Sequence, residues 1–240
     1  MTPKSETASS CEFGRRMRAQ FGLKLFGIPC FMALFFLGYI QILKHAFLPV
    51  TVMPLTAIDR LIPYQTYAWF LYISLWVYVQ LPLCLIDCRR ELVRYGATAA
   101  GVSLVGFVFF IFWPTAVPIT AVDATDSLLA GIRTIDTTGN SCPSLHVAFA
   151  VFTAVWIERF LGKIRISVLI RLLNFGWCLG IIYSTLATKQ HVVLDACAGA
   201  GLGLVGASIQ ACLGETHRGQ PAVAPTSPGL AQIRPAARKL

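Results

Sequence analysis

Two short segments hold the residue types that could do chemistry. One reads Asp136-Thr137-Thr138-Gly139-Asn140-Ser141-Cys142-Pro143-Ser144-Leu145-His146. The other reads Ser184-Thr185-Leu186-Ala187-Thr188-Lys189-Gln190-His191-Val192-Val193-Leu194-Asp195. His191 and Asp195 are four apart, so on a helix they share a face. A carboxylate that accepts from one imidazole nitrogen fixes the tautomer and leaves the other nitrogen free to attack. Lys189 beside them supplies positive charge for a phosphate. In the first segment, Ser141 is a candidate N-cap and Pro143 suits a first helical turn. Ser144 and His146 then fall in that turn, where unpaired N–H groups and a partial positive charge favour an anion such as phosphate. Blander readings exist for each residue taken alone. Ser144 could serve only as a cap, Lys189 as a snorkelling anchor, and Arg133 as a solvated loop charge. His45 and His217 have no supporting pattern and read as ordinary polar residues. A serine protease built on Ser144 and His146 fits poorly, because residues two apart on a helix diverge by about 200°.

The elements that must position these segments are apolar. The chain has 240 residues, 56% of them hydrophobic and 13% charged, and its mean hydropathy is +0.67. A soluble domain carries about a quarter charged residues. The composition therefore points to the membrane class. Six apolar stretches stand out, at 25–43, 66–86, 95–113, 145–161, 168–187 and 191–212, each about long enough to span a bilayer. The expected fold is all-α: a polytopic six-transmembrane-helix bundle over 25–213. A basic lead precedes it at 1–24, and a Pro/Ala/Gly-rich tail expected to be disordered follows at 214–240. No small-residue cleavage pattern follows the first apolar run, so it reads as a retained helix. Gly199, Gly201, Gly203 and Gly206 in the last stretch suit close helix packing. The eight cysteines form no CxxC or Cys/His ligand set, so neither a zinc site nor a disulfide framework is expected. Cys142 reads as structural.

Basic residues set the orientation. Lys4, Arg15, Arg16, Arg18 and Lys24 lie in the lead, and Arg89, Arg90 and Arg94 near the second connection. Arg159, Lys163, Arg165 and Arg171 flank the fourth, and Arg218, Arg234, Arg238 and Lys239 lie in the tail. Only Lys44, Arg60, Arg133 and Lys189 fall on the other side. The positive-inside rule then makes both termini cytoplasmic and puts both chemical segments outside. Topology accounts for most of the net charge of +9, and nucleic acid is not needed as a partner.

Pro143-Ser144-Leu145-His146, followed by Ser184 and by His191 and Asp195 at seven and eleven positions further on, resembles the type-2 phosphatidic acid phosphatase superfamily. That family typically shows Pro-Ser-Gly-His and then Ser-Arg-x5-His-x3-Asp. The resemblance covers about residues 95–212. Leu145 replaces the commonest glycine and Thr185 the commonest arginine, as in the branch that contains inositol phosphorylceramide synthases and related bacterial lipid phosphatases. Phe112-Trp113-Pro114-Thr115-Ala116-Val117-Pro118 also resembles that branch. The family's first motif, Lys-x6-Arg-Pro, has no match here. Lys189 and Arg133 are the basic candidates near the motifs on the outer side.

The resemblance implies a metal-independent enzyme without a cofactor. It implies that His191 attacks phosphorus, giving a phosphohistidine, and that His146 protonates the leaving oxygen and then activates water or an alcohol. Asp195 orients His191. Ser144 and nearby N–H groups hold the phosphoryl oxygens, with Lys189, Ser184 and Arg133 in support. The expected function is an integral membrane lipid phosphatase acting on a lipid phosphate or pyrophosphate at the extracytoplasmic face of a bacterial plasma membrane. A lipid phosphotransferase of the inositol phosphorylceramide synthase type is the alternative, and a non-catalytic transporter or scaffold is a third reading. Phosphatidic acid, phosphatidylglycerol phosphate, undecaprenyl pyrophosphate and sphingolipid phosphates all remain open as substrates.

Overall fold

The computed structural model describes residues 14–45, 48–118 and 140–215. The helices are α1 (Phe21–Lys44), α2 (Ala57–Leu61), α3 (Ala68–Tyr78), α4 (Leu81–Leu85), α5 (Arg89–Phe112), α6 (Leu145–Lys163), α7 (Val168–Ala187) and α8 (Val193–Glu215). With α3 and α4 taken as one span, six helices among the described residues are long and apolar enough to cross a membrane. The all-α bundle expected from sequence is therefore the fold. The lead before residue 14 and the tail beyond residue 215 lie outside the described residues.

The second apolar stretch is two helices rather than one. Pro82 explains the break: it has no N–H for the carbonyl of Tyr78, and its ring clashes with that carbonyl. The third span begins at Arg89, six residues before its apolar run, so the three arginines of that connection lie within α5. Their hydration at a membrane boundary lets a helix extend past its apolar part. The sixth begins at Val193, which leaves His191 in the preceding turn.

α6 is the centre of the bundle. In its most apolar window 61% of residues are buried, against 0% for α1, which is therefore peripheral. Phe152 and Trp156 of α6 pack against Tyr95 of α5 with ring centroids 5.0 and 6.0 Å apart. Polar side chains join the helices where hydrocarbon offers no other partner. Tyr78 donates to Asn174 Oδ1 at 2.7 Å, and Asn174 Nδ2 donates to the Ala154 carbonyl at 3.0 Å, which links α3, α7 and α6. Thr98 Oγ1 donates to Gln210 Oε1 at 2.8 Å, between α5 and α8. Glu158 of α6 pairs with Arg171 of α7, so that neither charge faces lipid unpaired.

The packing of α8 on α6 depends on glycine. A Cβ at Gly199 would lie 2.3 Å from the Ser144 carbonyl oxygen, and one at Gly203 would lie 2.4 Å from that of Ala148. Both obstacles are backbone, which no rotamer change can move. Gly206 instead faces the Val102 side chain on α5, and Gly201 meets nothing within 4 Å. Two of the four glycines thus seat α8 on α6, one seats it on α5, and Gly201 plays no such part. Gly199→Ala should cost at least about 1–3 kcal/mol, the usual scale of overpacking. Gly201→Ala should be neutral or stabilising. Thermal unfolding of the two variants in detergent checks the contrast.

The two ends of the bundle differ. Arg15 and Arg16 meet Asp87 at 3.3 and 3.5 Å, and Arg16 lies over the Phe160 ring. The N-terminal lead therefore shares an end with the connection before α5 and with the end of α6. The opposite end carries a short parallel pair, β1 (Thr51–Val52) with β2 (Thr115–Ala116), and both chemical segments.

Candidate active site

Each segment is held by its backbone before its side chains can act. The turn after α7 closes on the Thr185 carbonyl, which accepts from the N–H groups of Gln190 and His191, both at 3.1 Å. Lys189 N–H donates to the Leu186 carbonyl at 3.2 Å. This pattern of bonds is a Schellman helix end, whose left-handed position normally takes glycine. Here Lys189 occupies it, with φ 57°. The cost is about 1–2 kcal/mol for a residue with a Cβ. Lys189 Nζ offsets it by donating to the carbonyls of Asp59 and Ile62, at 2.9 and 2.5 Å. Burial holds the Lys189 ammonium below the ordinary lysine range, and the nearby Asp59 carboxylate opposes that shift.

Asp59 is a residue that sequence reasoning missed. Its Oδ2 accepts from the Thr56 N–H and hydroxyl at 2.8 and 2.7 Å, forming a capping box on α2. Its Oδ1 accepts from Val193 N–H at 2.9 Å, at the first turn of α8. The Thr-x-x-Asp spacing at 56–59 was the available signal.

The other segment is docked by Thr115. Its carbonyl accepts from Ser141 N–H at 3.1 Å, and its Oγ1 accepts from Cys142 N–H at 2.7 Å. The Pro-Thr turn after α5 thus carries the segment that leads into α6. Ser141 does not cap α6. Ser144 does, its Oγ accepting from Val147 N–H at 3.2 Å. Helical geometry begins only at Leu145, after Pro143, so the N3 donor that a cap must satisfy is Val147.

The two segments meet at one carboxylate. Asp195 has no exposed surface. Its Oδ2 accepts from Ser141 Oγ at 2.5 Å and from Val192 N–H at 3.1 Å, and lies 3.6 Å from His191 Nδ1. The Asp195 carbonyl also accepts from Ser144 N–H at 3.1 Å. His191 and Asp195 do not share a helical face, because His191 precedes α8. They meet because Asp195 turns back to cap Val192. His191 Nδ1 and Asp195 Oδ1 are buried and have no hydrogen-bond partner among the described residues. At 3.6 Å the pair is just beyond hydrogen-bond length, which a small rotation of either side chain closes. Burial and the adjoining Asp195 push the Cys142 thiol up to about 11. It stays protonated near neutral pH and is a poor nucleophile.

His146 is held differently. Its Nε2 lies 3.0 Å from the Tyr72 carbonyl. A carbonyl can only accept, so Nε2 carries a proton and Nδ1 is left to exchange one. The Tyr72 ring stacks on the imidazole at 3.9 Å, 14° from parallel. His146 and His191 both line one cavity of about 450 Å³, together with Asn140 and Tyr72. Two imidazoles on one cavity, one backed by a carboxylate and one by a carbonyl, can supply a nucleophile and a proton donor to a single reacting centre.

The fold thus brings His191, Asp195 and His146 together. Ser144 and Ser184 are fully buried, and their hydroxyls bond within their own helices, to Val147 N–H and the Ile181 carbonyl. Lys189 is turned toward α2. Arg133 lies outside the described residues.

Residues 56–209 match the PAP2 superfamily. The chain belongs to the PAP2 superfamily. The match spans more than half of the sequence and contains every residue of the site just described. No curated protein and no solved structure matches the chain. Members of the PAP2 superfamily are phosphatases and phosphotransferases. With six membrane-crossing helices, this member is an integral membrane protein. The α1 span and residues 51–55 precede the matched region, so the PAP2 match begins at Thr56, the first residue of the Thr56–Asp59 capping box.

Proposed function

We propose that the protein is a lipid phosphatase that works through a phosphohistidine on His191. The observation that carries this reading is the shared cavity. One histidine from the first turn of α6 and one from the connection before α8 face it, with Asp195 behind the second. His191 Nε2 attacks phosphorus and the phosphorus–oxygen bond to the lipid breaks. His146 delivers a proton from Nδ1 to the departing oxygen. Water then attacks the phosphohistidine, gives its proton to His146 and releases inorganic phosphate. Asp195 accepts from Nδ1–H of His191 and balances the positive ring. Lys189, on leaving the carbonyls of Asp59 and Ile62, and Arg133 supply positive charge to the phosphoryl group, and Ser144 and Ser184 fix the helix ends that carry the site.

The charge distribution supports an extracytoplasmic site. Arg15, Arg16 and Asp87 cluster at the end opposite the histidines, as the positive-inside rule asks of a cytoplasmic end. Pro-Ser-Leu-His and the Ser-Thr opening of the last motif favour a second reading, transfer of the phosphoryl group to an alcohol. The two readings share the His191 step and differ only in the acceptor.

Phosphate release from a panel of lipid phosphates, with and without added alcohols, tests the reading. Product formed only when an alcohol is present replaces water as acceptor. In the same assay Lys189→Gln should raise KM about tenfold while leaving kcat within a few-fold, since removing binding common to ground and transition states acts on KM. An unchanged KM removes Lys189 from the phosphate site. Tyr72→Ala should lower kcat by up to about tenfold, because ring stacking is worth about 0.5–1.5 kcal/mol. Tyr72→Phe keeps the ring and should stay near wild type. Equal losses in both variants would rule out the stack as the source.

A further inference from the structure

The connection between α1 and α3 carries none of the motif residues, yet it touches both chemical segments. Its first part is β1. There Thr51 N–H donates to the Pro114 carbonyl and Met53 N–H to the Ala116 carbonyl, both at 2.9 Å. The paired strand supplies Thr115, which docks the segment leading to His146. The buried Met53 side chain packs with Cys142 of that segment and with Val192 of the other. The second part of the connection lies along the turn that holds His191. Asp59 Oδ1 accepts from Val193 N–H, just after the histidine. The Asp59 and Ile62 carbonyls accept from Lys189 Nζ, just before it. Gln65 N–H donates to the Ala187 carbonyl at 2.9 Å, where α7 ends.

We propose that this connection braces the two segments against each other, and that Asp59 is the positioning residue through which it holds His191. The inference rests on the phosphatase reading for the role of His191. Val193 opens α8, and the N–H groups of a first helical turn have no partner within their own helix. The Asp59 carboxylate therefore fixes where α8 starts relative to the turn before it. It has little freedom of its own: Asp59 is 6% exposed, and its other oxygen is engaged by the Thr56 N–H and hydroxyl. Asp59 does not line the cavity of the histidines, so it acts on the nucleophile only through Val193 and the turn. That indirect route is enough to matter, since a misplacement of about 1 Å at a reacting group can cost about 10²-fold in rate.

Three variants of the full chain in nanodiscs separate positioning from folding. Asp59→Ala removes the carboxylate and keeps the backbone carbonyl that Lys189 uses. Val193→Pro removes the N–H alone, at a first helical position, where proline fits. Thr56→Val removes a hydroxyl that Asp59 Oδ2 accepts from and leaves the Val193 bond in place. The substrate is whichever of dioleoyl phosphatidic acid, phosphatidylglycerol phosphate and undecaprenyl pyrophosphate the wild type hydrolyses fastest. Loss of a cap lowers stability, so Thr56→Val should lower the melting temperature while kcat stays within about twofold. Asp59→Ala and Val193→Pro should each lower kcat by about 10–10²-fold, with KM within about threefold. The double variant should lose no more than the larger single loss, because both changes remove the same bond. Wild-type kcat in Val193→Pro, losses that multiply in the double variant, a change confined to KM, or an equal loss in Thr56→Val overturns the positioning role. In each of those cases His191-dependent hydrolysis keeps the phosphatase reading. Should Asp59→Ala or Val193→Pro not fold, the other decides by its kcat against that of Thr56→Val. Hydrolysis of none of the three lipids by wild type overturns both the phosphatase reading and the positioning role.

Discussion

Replacing His191 with alanine should abolish phosphate release, by on the order of 10⁴-fold or more, without unfolding the protein. Removal of a nucleophile that acts with a base as a unit has effects of that size or larger. His191 is a sound residue to remove. Its side chain is 11% exposed and faces the cavity, and its backbone N–H bonds to Thr185 whatever the side chain. Alanine leaves the Schellman turn, the Asp195 cap on Val192 and the Ser141 bond in place. Thermal unfolding should therefore shift little. Labelled phosphate from a reactive lipid should be trapped on wild type in acid-labile, base-stable form and be missing from His191→Ala. A variant that still hydrolyses, or a wild type that labels elsewhere, removes the phosphohistidine from the mechanism. His146→Ala separates the steps: it should still accept label from a substrate with a good leaving group and then release it slowly, because water lacks its base.

Asp195→Asn should have nearly as large an effect, on the order of 10³–10⁴-fold in kcat. Where an aspartate holds the tautomer of an active-site histidine, its amide leaves the geometry nearly intact and costs about 10⁴. Here the consequence extends further, since Oδ2 is also the acceptor for Ser141 Oγ–H and Val192 N–H. An amide that keeps its oxygen in the Oδ2 position holds those two donors and still faces His191 Nδ1 with an acceptor, but it lacks the charge that balances the positive ring. An amide turned the other way sets N–H against N–H and O–H donors in a fully buried spot, at about 1–3 kcal/mol of stability. Activity and melting temperature measured together distinguish the two orientations. Full activity in Asp195→Asn would mean that His191 does not depend on the carboxylate.

Much of this architecture can be read from the chain because the bilayer restricts it. Backbone buried in hydrocarbon must bond to itself, so an apolar stretch of the right length becomes a helix. The six spans and the co-location of the two motif segments at one end follow from that rule. Local breaks were legible only in part. Pro82 announces the split in the second span, whereas the late start of α8 depends on a tertiary bond from Asp59 to Val193. The site shows the same division. His146, His191 and Asp195 are evident from spacing, yet the reason His191 and Asp195 meet is not helical periodicity but a cap formed from inside the next turn. Ser141 is visible as a hydroxyl beside a proline, but its partner lies 54 positions away, and no local pattern encodes that distance. Tyr72 and Asn140 are ordinary interfacial residues until the spans assemble. Lys189 has a charge that suits phosphate, yet its φ of 57° and its bonds to α2 give it a backbone task that composition cannot express.

The peripheral position of α1 has a consequence for how such an enzyme can change. The residues of the reacting centre all lie within the matched stretch 56–209, and α1 precedes it. Along α1 the wall of the cavity that holds the histidines runs from Leu23 to Tyr39, in a helix whose most apolar window has no buried residue. Drift in that one segment can alter what is held without disturbing what is done to it. The cavity is thus walled partly by α1 and partly by the matched stretch, so exchanging α1 between relatives should change one wall of the cavity and leave the reacting centre as it is.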